Sequence, residues 1–253
     1  MQFIEIGNFS IRMYGVIFAL GVLMAYFVIQ KLFKLSHPSF KNIDSLLFTV
    51  LLTGLLGARL YHVFDVWEYY SKNLTEIIAI WNGGIGIYGG LIGGFLGLLI
   101  YTKIKKLSIL SILDVLTPGV ALAQSIGRWG NFFNQEAYGY PSNSFWAIKI
   151  DPANRLPGFE KYEYYHPTFL YESLMLMLAF IALFFLFRKR GRSVGLVFAC
   201  YLFFYGIIRV ITEQFRIDTW QHDGIKVAQV ISISFIIVGS FLIWYFHKFS
   251  KSR

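Results

Sequence analysis

Seven long apolar runs constrain this chain more than any other feature of its sequence. They fall at roughly Ile11–Gln30, Leu46–Phe64, Ile85–Thr102, Leu107–Gly127, Phe169–Phe187, Gly195–Ile211 and Val227–Phe246. Crossing the hydrocarbon of a bilayer takes about 20 mostly apolar residues in helical form, and each run comes near that length. Inside lipid every backbone N–H and C=O must be paired within the protein, which commits such runs to helix. The fourth run carries Asp114, Pro118 and Gly119, and reads as a buried or partly broken helix rather than a lipid-facing one. Composition points the same way. Of 253 residues, 56% are hydrophobic and 15% charged, against about 45–50% and about 25% in an ordinary soluble domain.

The connecting segments orient the runs. Lys31, Lys34 and Lys41 follow the first; Lys103, Lys105 and Lys106 the third; Arg188, Lys189, Arg190 and Arg192 the fifth; Lys248, Lys251 and Arg253 the last. These basic segments alternate with a sparse loop, Asp65–Ile80, and a long one, Arg128–Thr168. By the positive-inside rule, the N-terminus is outside and the C-terminus cytoplasmic. The net charge of +9 is then a matter of topology, and no nucleic-acid partner is required. The expectation is an all-α polytopic membrane protein with about seven transmembrane helices, one integral membrane domain over residues 1–253. Within the long loop, residues 140–165 are expected to form a small extracytoplasmic cap, with FWAIKI as a short strand among turn-forming Pro, Asn and Asp. The start, MQFIEIGNFSIRMYG, has neither the basic segment nor the cleavage site of a secretory signal, so the first run reads as a retained helix.

A single cysteine, Cys200, excludes an internal disulfide and reads as a small core residue within its span. Histidines 37, 62, 166, 222 and 247 are scattered without HExxH or helical i, i+4 pairing, so neither metal nor cofactor is expected.

Applied to the polar residues, this topology brings five stretches to one side of the membrane. They are Arg12 with Tyr14, Trp81–Tyr88, Arg128–Gly139, His166–Glu172 and Tyr205–Arg216. A water-accessible pocket in the outer leaflet follows. Tyr205, Arg209, Glu213 and Arg216 are spaced by four, four and three, which sets them on one helical face. Arginine at membrane depth is costly unless it faces the interior and finds partners. An Arg209–Glu213 pair that fixes helix packing is one reading. With Arg128 at the same depth, two guanidiniums suggest an anion, and a phospholipid phosphate is the nearest supply. In GGIGIYGGLIGGFLG, the glycines 84, 86 and 89 spell GxGxxG, but no strand precedes them, so a dinucleotide site fails its context. Gly86, Gly90 and Gly94, like Gly89, Gly93 and Gly97, read as small-xxx-small packing faces. Gly83 and Gly84 could offer backbone N–H groups to an anion at the helix start.

The stretch GRWGNFFNQEAYG resembles the signature of the bacterial prolipoprotein diacylglyceryl transferase family. Gly127, Arg128, Gly130, Asn131, Phe132, Asn134, Glu136 and Gly139 fill its fixed positions. The likeness extends to Tyr14–Gly15, WNGGIGIYGG, HPTFLYE at His166–Glu172 and YGIIRVITEQFR at Tyr205–Arg216, covering essentially the whole chain. The resemblance implies seven helices, a bacterial plasma-membrane location and an active site on the extracytoplasmic side. It also implies transfer of the sn-1,2-diacylglyceryl group from phosphatidylglycerol to the lipobox cysteine thiol of a preprolipoprotein signal peptide, releasing glycerol phosphate. Arg128, Arg209, Tyr88, Glu136 and Tyr14 would then be catalytic. Asn131, Asn134, Gly139, Tyr205, His166, Glu213 and Arg216, together with Arg128, would bind phosphatidylglycerol. Many members carry histidine where this chain has Tyr88, and tyrosine occurs there in members from Gram-positive bacteria. A phenol of pKa about 10 is a poor base at neutral pH. The thiol proton would therefore go to Glu136, His166 or the leaving phosphate, or Tyr88 would position substrate by hydrogen bonding. A transporter or flippase for an anionic lipid-like substrate is the alternative, though polar residues at one face without an inverted repeat disfavour it.

Overall fold

The computed structural model describes residues 3–6, 9–37, 42–189 and 191–250. Lys41, Arg190, Lys251 and Arg253 of the basic segments lie outside them. The chain opens with an antiparallel pair, β1 (Phe3–Ile6) and β2 (Phe9–Arg12), then runs into α1 (Met13–Ser36) and α2 (Ile43–Asp65). A short α3 (Trp67–Tyr70) and two 3₁₀ turns lead to α4 (Ile87–Ile104) and α5 (Ile109–Asn134). Strands β3 (Ile148–Lys149) and β4 (Tyr164–Tyr165) precede α6 (Thr168–Arg188) and α7 (Leu196–Glu213). The pair β5 (Gln221–His222) and β6 (Ile225–Lys226) leads into α8 (Val227–Ser250). Seven of these eight helices, all but α3, are long and apolar enough to cross a membrane, as the runs predict. The described residues fall into two compact units, Phe33–Ile112 and Met1–Leu32 with Leu113–Arg253.

In the unit Phe33–Ile112, α2 lies against α4 at a separation that only glycine permits. A Cβ on Gly89, Gly93 or Gly97 would collide with Gly57 or Thr53. The other stripe is looser at Gly90 and Gly94, where a Cβ would sit 3.5 or 3.6 Å from its nearest neighbour, but at Gly86 it would lie 2.5 Å from the Tyr61 ring. Packing therefore accounts for the first stripe more strongly than for the second.

Helix α5, which belongs to the other unit from Leu113 onward, is continuous despite Pro118 and is the most enclosed of the seven, with 56% of its span buried. Asp114 explains how an acid is tolerated there. Its fully buried carboxylate meets Arg192 at 2.7 Å and accepts the Gly195 and Phe198 backbone N–H groups at 2.8 and 2.9 Å. The acid thus caps the start of α7, where a helix dipole favours negative charge. Arg192, counted among the basic loop residues, is held by this pair. Cys200 is half-buried within α7.

Between α5 and α6 the chain folds around Tyr138, Ile150 and Tyr165. Burial pushes the Tyr138 phenol up from its usual range, against the Leu156 N–H that donates to its oxygen at 2.7 Å. Of FWAIKI only Ile148–Lys149 is strand, paired with Tyr164–Tyr165. Phe145 and Trp146 instead form a turn closed by Ala147 N–H donating to Ser144 O at 3.0 Å.

Candidate active site

The sequence ends the fourth span at Gly127, but α5 carries on to Asn134. Arg128, Asn131 and Asn134 are therefore helical residues at spacings of three, close to one face. The helix stops where Gln135 and Ala137 take positive φ of 52° and 55°, and the chain doubles back. Glu136 comes to rest beside the last turn. Its backbone N–H donates to Asn131 O at 3.0 Å, and its Oε1 accepts Asn131 Nδ2 at 2.9 Å and Asn134 Nδ2 at 3.3 Å. The two amides thus fix the carboxylate of an exposed glutamate.

One turn earlier on α5, Arg128 reaches α6. Its Nη2 lies 2.7 Å from Glu172 Oε1, although no N–H is aligned on that oxygen for a hydrogen bond. Arg209 of α7 places Nη1 3.4 Å from Glu172 Oε2, and its Nη2 donates to Glu213 Oε2 at 2.7 Å. Glu172 and Glu213 are almost wholly buried. Glu213 also accepts the Thr219 hydroxyl, and Lys226 donates to its backbone oxygen. Two arginines and two glutamates from three helices therefore form a charge-balanced chain. They are not equivalent. Arg209 is held by two carboxylates at 12% side-chain exposure, whereas Arg128 is 25% exposed and has one ionic partner. The remaining N–H groups of Arg128 have no partner among the described residues.

Glycine at two signature positions has a steric cause. A Cβ on Gly130 would lie 2.6 Å from the Tyr14 ring, so the glycine lets Tyr14, in the first turn of α1, settle on α5. At Gly139 three stretches cross. Its N–H donates to His166 O at 2.9 Å, it bridges Arg216, and a Cβ would lie 2.6 Å from Phe215 O and 2.8 Å from His166 Cβ. Gly127 differs, because a Cβ there would meet nothing within 4 Å.

The remaining expected residues divide. Tyr205 shares the α7 face with Arg209 and stacks on Tyr201 at 5.9 Å. His166 Nδ1 and the Tyr171 hydroxyl share a hydrogen at 3.0 Å, and Trp146 Nε1 donates to that hydroxyl at 2.7 Å. Arg216 departs from the expected helical face. Helix α7 ends at Glu213, and Arg216 lies beyond it, paired with Asp218 at 3.1 Å. Four of the five polar stretches thus occur in one unit. Trp81–Tyr88 belongs to the other, where Tyr88 sits in the first turn of α4, 47% exposed, 6.1 Å from the Tyr61 ring. The expected anion seat at Gly83 and Gly84 is not formed in the expected way. Gly83 N–H donates to Ile80 O, and both glycine carbonyls accept from Arg59. Two functional candidates carry no role in the sequence alone: Glu172, shared by Arg128 and Arg209, and Arg59, which donates to five backbone carbonyls. The usable signal was the cost of any ionisable group inside an apolar run.

Comparison with known proteins adds an independent line. The family profile described as "Prolipoprotein diacylglyceryl transferase" matches residues 1–245. Among the relatives named "Phosphatidylglycerol--prolipoprotein diacylglyceryl transferase", that of Fervidobacterium nodosum is 40% identical over 249 residues, covering 98% of this chain and 85% of the relative. That of Finegoldia magna is 42% identical over 238 residues, covering 94% and 92%. That of Synechocystis is 39% identical over 241 residues, covering 93% and 85%.

Proposed function

The chain belongs to the prolipoprotein diacylglyceryl transferase family, and from that premise we propose which of its residues carry the reaction. The protein is a multi-pass membrane transferase that catalyses the first step of lipoprotein maturation, moving diacylglyceryl from phosphatidylglycerol to a prolipoprotein cysteine. In chemical terms the thiol sulfur attacks the glyceryl carbon bonded to the phosphate oxygen. A C–S bond forms, the C–O bond breaks, and its electron pair leaves on glycerol phosphate. The thiol loses its proton.

The observation that carries the assignment is the inequality of the two arginines. Arg128 presents unpaired N–H donors suited to a phosphate, and Glu172 holds its guanidinium from the other side. Arg209, clamped by Glu172 and Glu213, fixes that arrangement and adds positive field where charge builds on the leaving phosphate. Asn131 and Asn134 orient Glu136, which keeps Oε2 open and takes the thiol proton. His166 is tied to Tyr171, which favours a role in joining residues 140–165 to α6. Tyr14, Tyr205 and Gly139 shape the same site. Tyr88, whose hydroxyl has no partner among the described residues, positions substrate by hydrogen bonding. The basic segments after α1, α4, α6 and α8 support an extracytoplasmic site, with residues 140–165 as its head and the N-terminus outside.

The test is incubation of purified protein with phosphatidylglycerol vesicles and a lipobox peptide, read by mass spectrometry. The expected result is one added diacylglyceryl group on cysteine, lost in Arg128→Ala protein that still inserts and purifies normally. Near-normal transfer by Arg128→Ala would remove the phosphate role, and no transfer by folded wild-type protein would revive the transporter reading.

A further inference from the structure

Arg59 is a buried cation in α2 that the reaction above leaves unused, at 6% exposure. A charged residue in a spanning segment needs partners, and those of Arg59 are unusual. No carboxylate pairs with it among the described residues; the nearby Glu76 carboxylate instead accepts the Tyr69 hydroxyl. Its partners are backbone carbonyls from one short segment. Nε donates to Ile77 O at 2.8 Å, and Nη1 donates to Gly83 O at 2.6 Å and Gly84 O at 2.8 Å. Nη2 donates to Glu76 O and to Ala79 O. The flat guanidinium fork thus gathers five carbonyls into one ring of acceptors, and the Tyr70 ring lies 5.1 Å from its carbon.

This arrangement dictates the start of α4. Gly83 and Gly84 both take positive φ, 89° and 72°, which turns their carbonyls onto Arg59. A Cβ on Gly84 would lie 2.7 Å from Arg59 Nη1. Gly86, the N-cap of α4, donates its N–H to Ala58 O at 2.9 Å, next to Arg59 in sequence. The path from Gly83 to Ile87 is therefore pinned to α2 at both ends, and Tyr88 follows in the first helical turn. We propose that Arg59 is a positioning residue for the transfer reaction, holding the Gly83–Gly86 turn so that the Tyr88 hydroxyl meets substrate. This rests on the reading of Tyr88 as a substrate-positioning group. Lysine cannot substitute, since a single ammonium with three donors lacks the reach of the fork.

The experiment is a double-mutant cycle in the peptide transfer assay, using wild type, Arg59→Lys, Tyr88→Phe and the double variant. Misplacing a reacting group by about 1 Å costs roughly 10²-fold, and a loss of that order in kcat/KM is expected for Arg59→Lys. In the Tyr88→Phe background the same change is expected to cost no more than about twofold, within the scatter of independent sites. Losses that multiply, or an Arg59→Lys enzyme at the wild-type rate, would overturn the proposal. A Tyr88→Phe enzyme at the wild-type rate would overturn it too, and would show that the Tyr88 reading is the part that failed. If Arg59→Lys does not insert and purify as folded protein, Gly84→Ala disturbs the clamp from the loop side and carries the same cycle with the same expected non-additivity.

Discussion

Glu172 and Glu136 are both carboxylates beside the signature, and their surroundings predict opposite behaviour. Glu172 is buried between two guanidiniums, so Glu172→Ala leaves cations without their shared counter-charge. Breaking such a buried pair costs about 3–5 kcal/mol, which should appear as a large fall in the thermal midpoint of the purified protein. Glu136 is exposed, and Glu136→Gln keeps an oxygen for Asn131 and Asn134. Its stability should change by no more than about 0.5 kcal/mol, while the transfer rate falls if this carboxylate takes the thiol proton. A Glu136→Gln enzyme at full rate would move the proton to His166 or the leaving phosphate. Arg128 and Arg209 were legible in the sequence because arginine inside or beside an apolar run demands a partner. Glu172 and Arg59 carried the same signal within FLYE and GARLY, but their partners lie 37 and about 20 residues away. No local spacing rule, such as the i, i+4 relation of Arg209 and Glu213, connects groups that far apart.

At the scale of elements, apolar length located every spanning helix, but not its ends. Helix α5 was expected to stop at Gly127 because Arg, Asn and Gln follow. It continues to Asn134, and Arg128 within it pairs ionically with Glu172 of α6, a contact no reading of one segment supplies. The expected strand in FWAIKI shrank to Ile148–Lys149 because the chain needs a turn at Phe145–Trp146. Glycine gives the sharpest test at this scale. Gly139→Ala forces a methyl against Phe215 O and His166 where three segments cross, and overpacking of this kind costs about 1–3 kcal/mol. Gly127→Ala meets open space, and replacing a helical glycine with alanine gains about 0.5–1 kcal/mol. The two variants should therefore shift the thermal midpoint in opposite directions. Should Gly127→Ala be more stable yet slower in transfer, the glycine serves the approach of substrate to α5 rather than packing.

For the whole molecule, the alternation of basic segments is a global signal that no individual helix contains. It survives the loss of one contributor, because Arg192 is held by Asp114 and its charge is explained without reference to the membrane. Lys189 remains exposed in the same loop. The orientation it supports can be tested within one unit, at the two ends of α6. In a Cys200→Ser background, cysteine is introduced at Asn143, exposed in the 140–165 segment, or at Lys189, beyond the far end of α6. A membrane-impermeant maleimide applied to intact cells should label Asn143→Cys and should reach Lys189→Cys only after permeabilisation. The prediction follows from an odd number of crossings between the two sites, combined with the excess of lysine and arginine on the cytoplasmic side. Labelling in the reverse order would put Arg128, Glu172 and Arg209 at the cytoplasmic face. The extracytoplasmic assignment would then fail while the charge-balanced site itself stood unchanged.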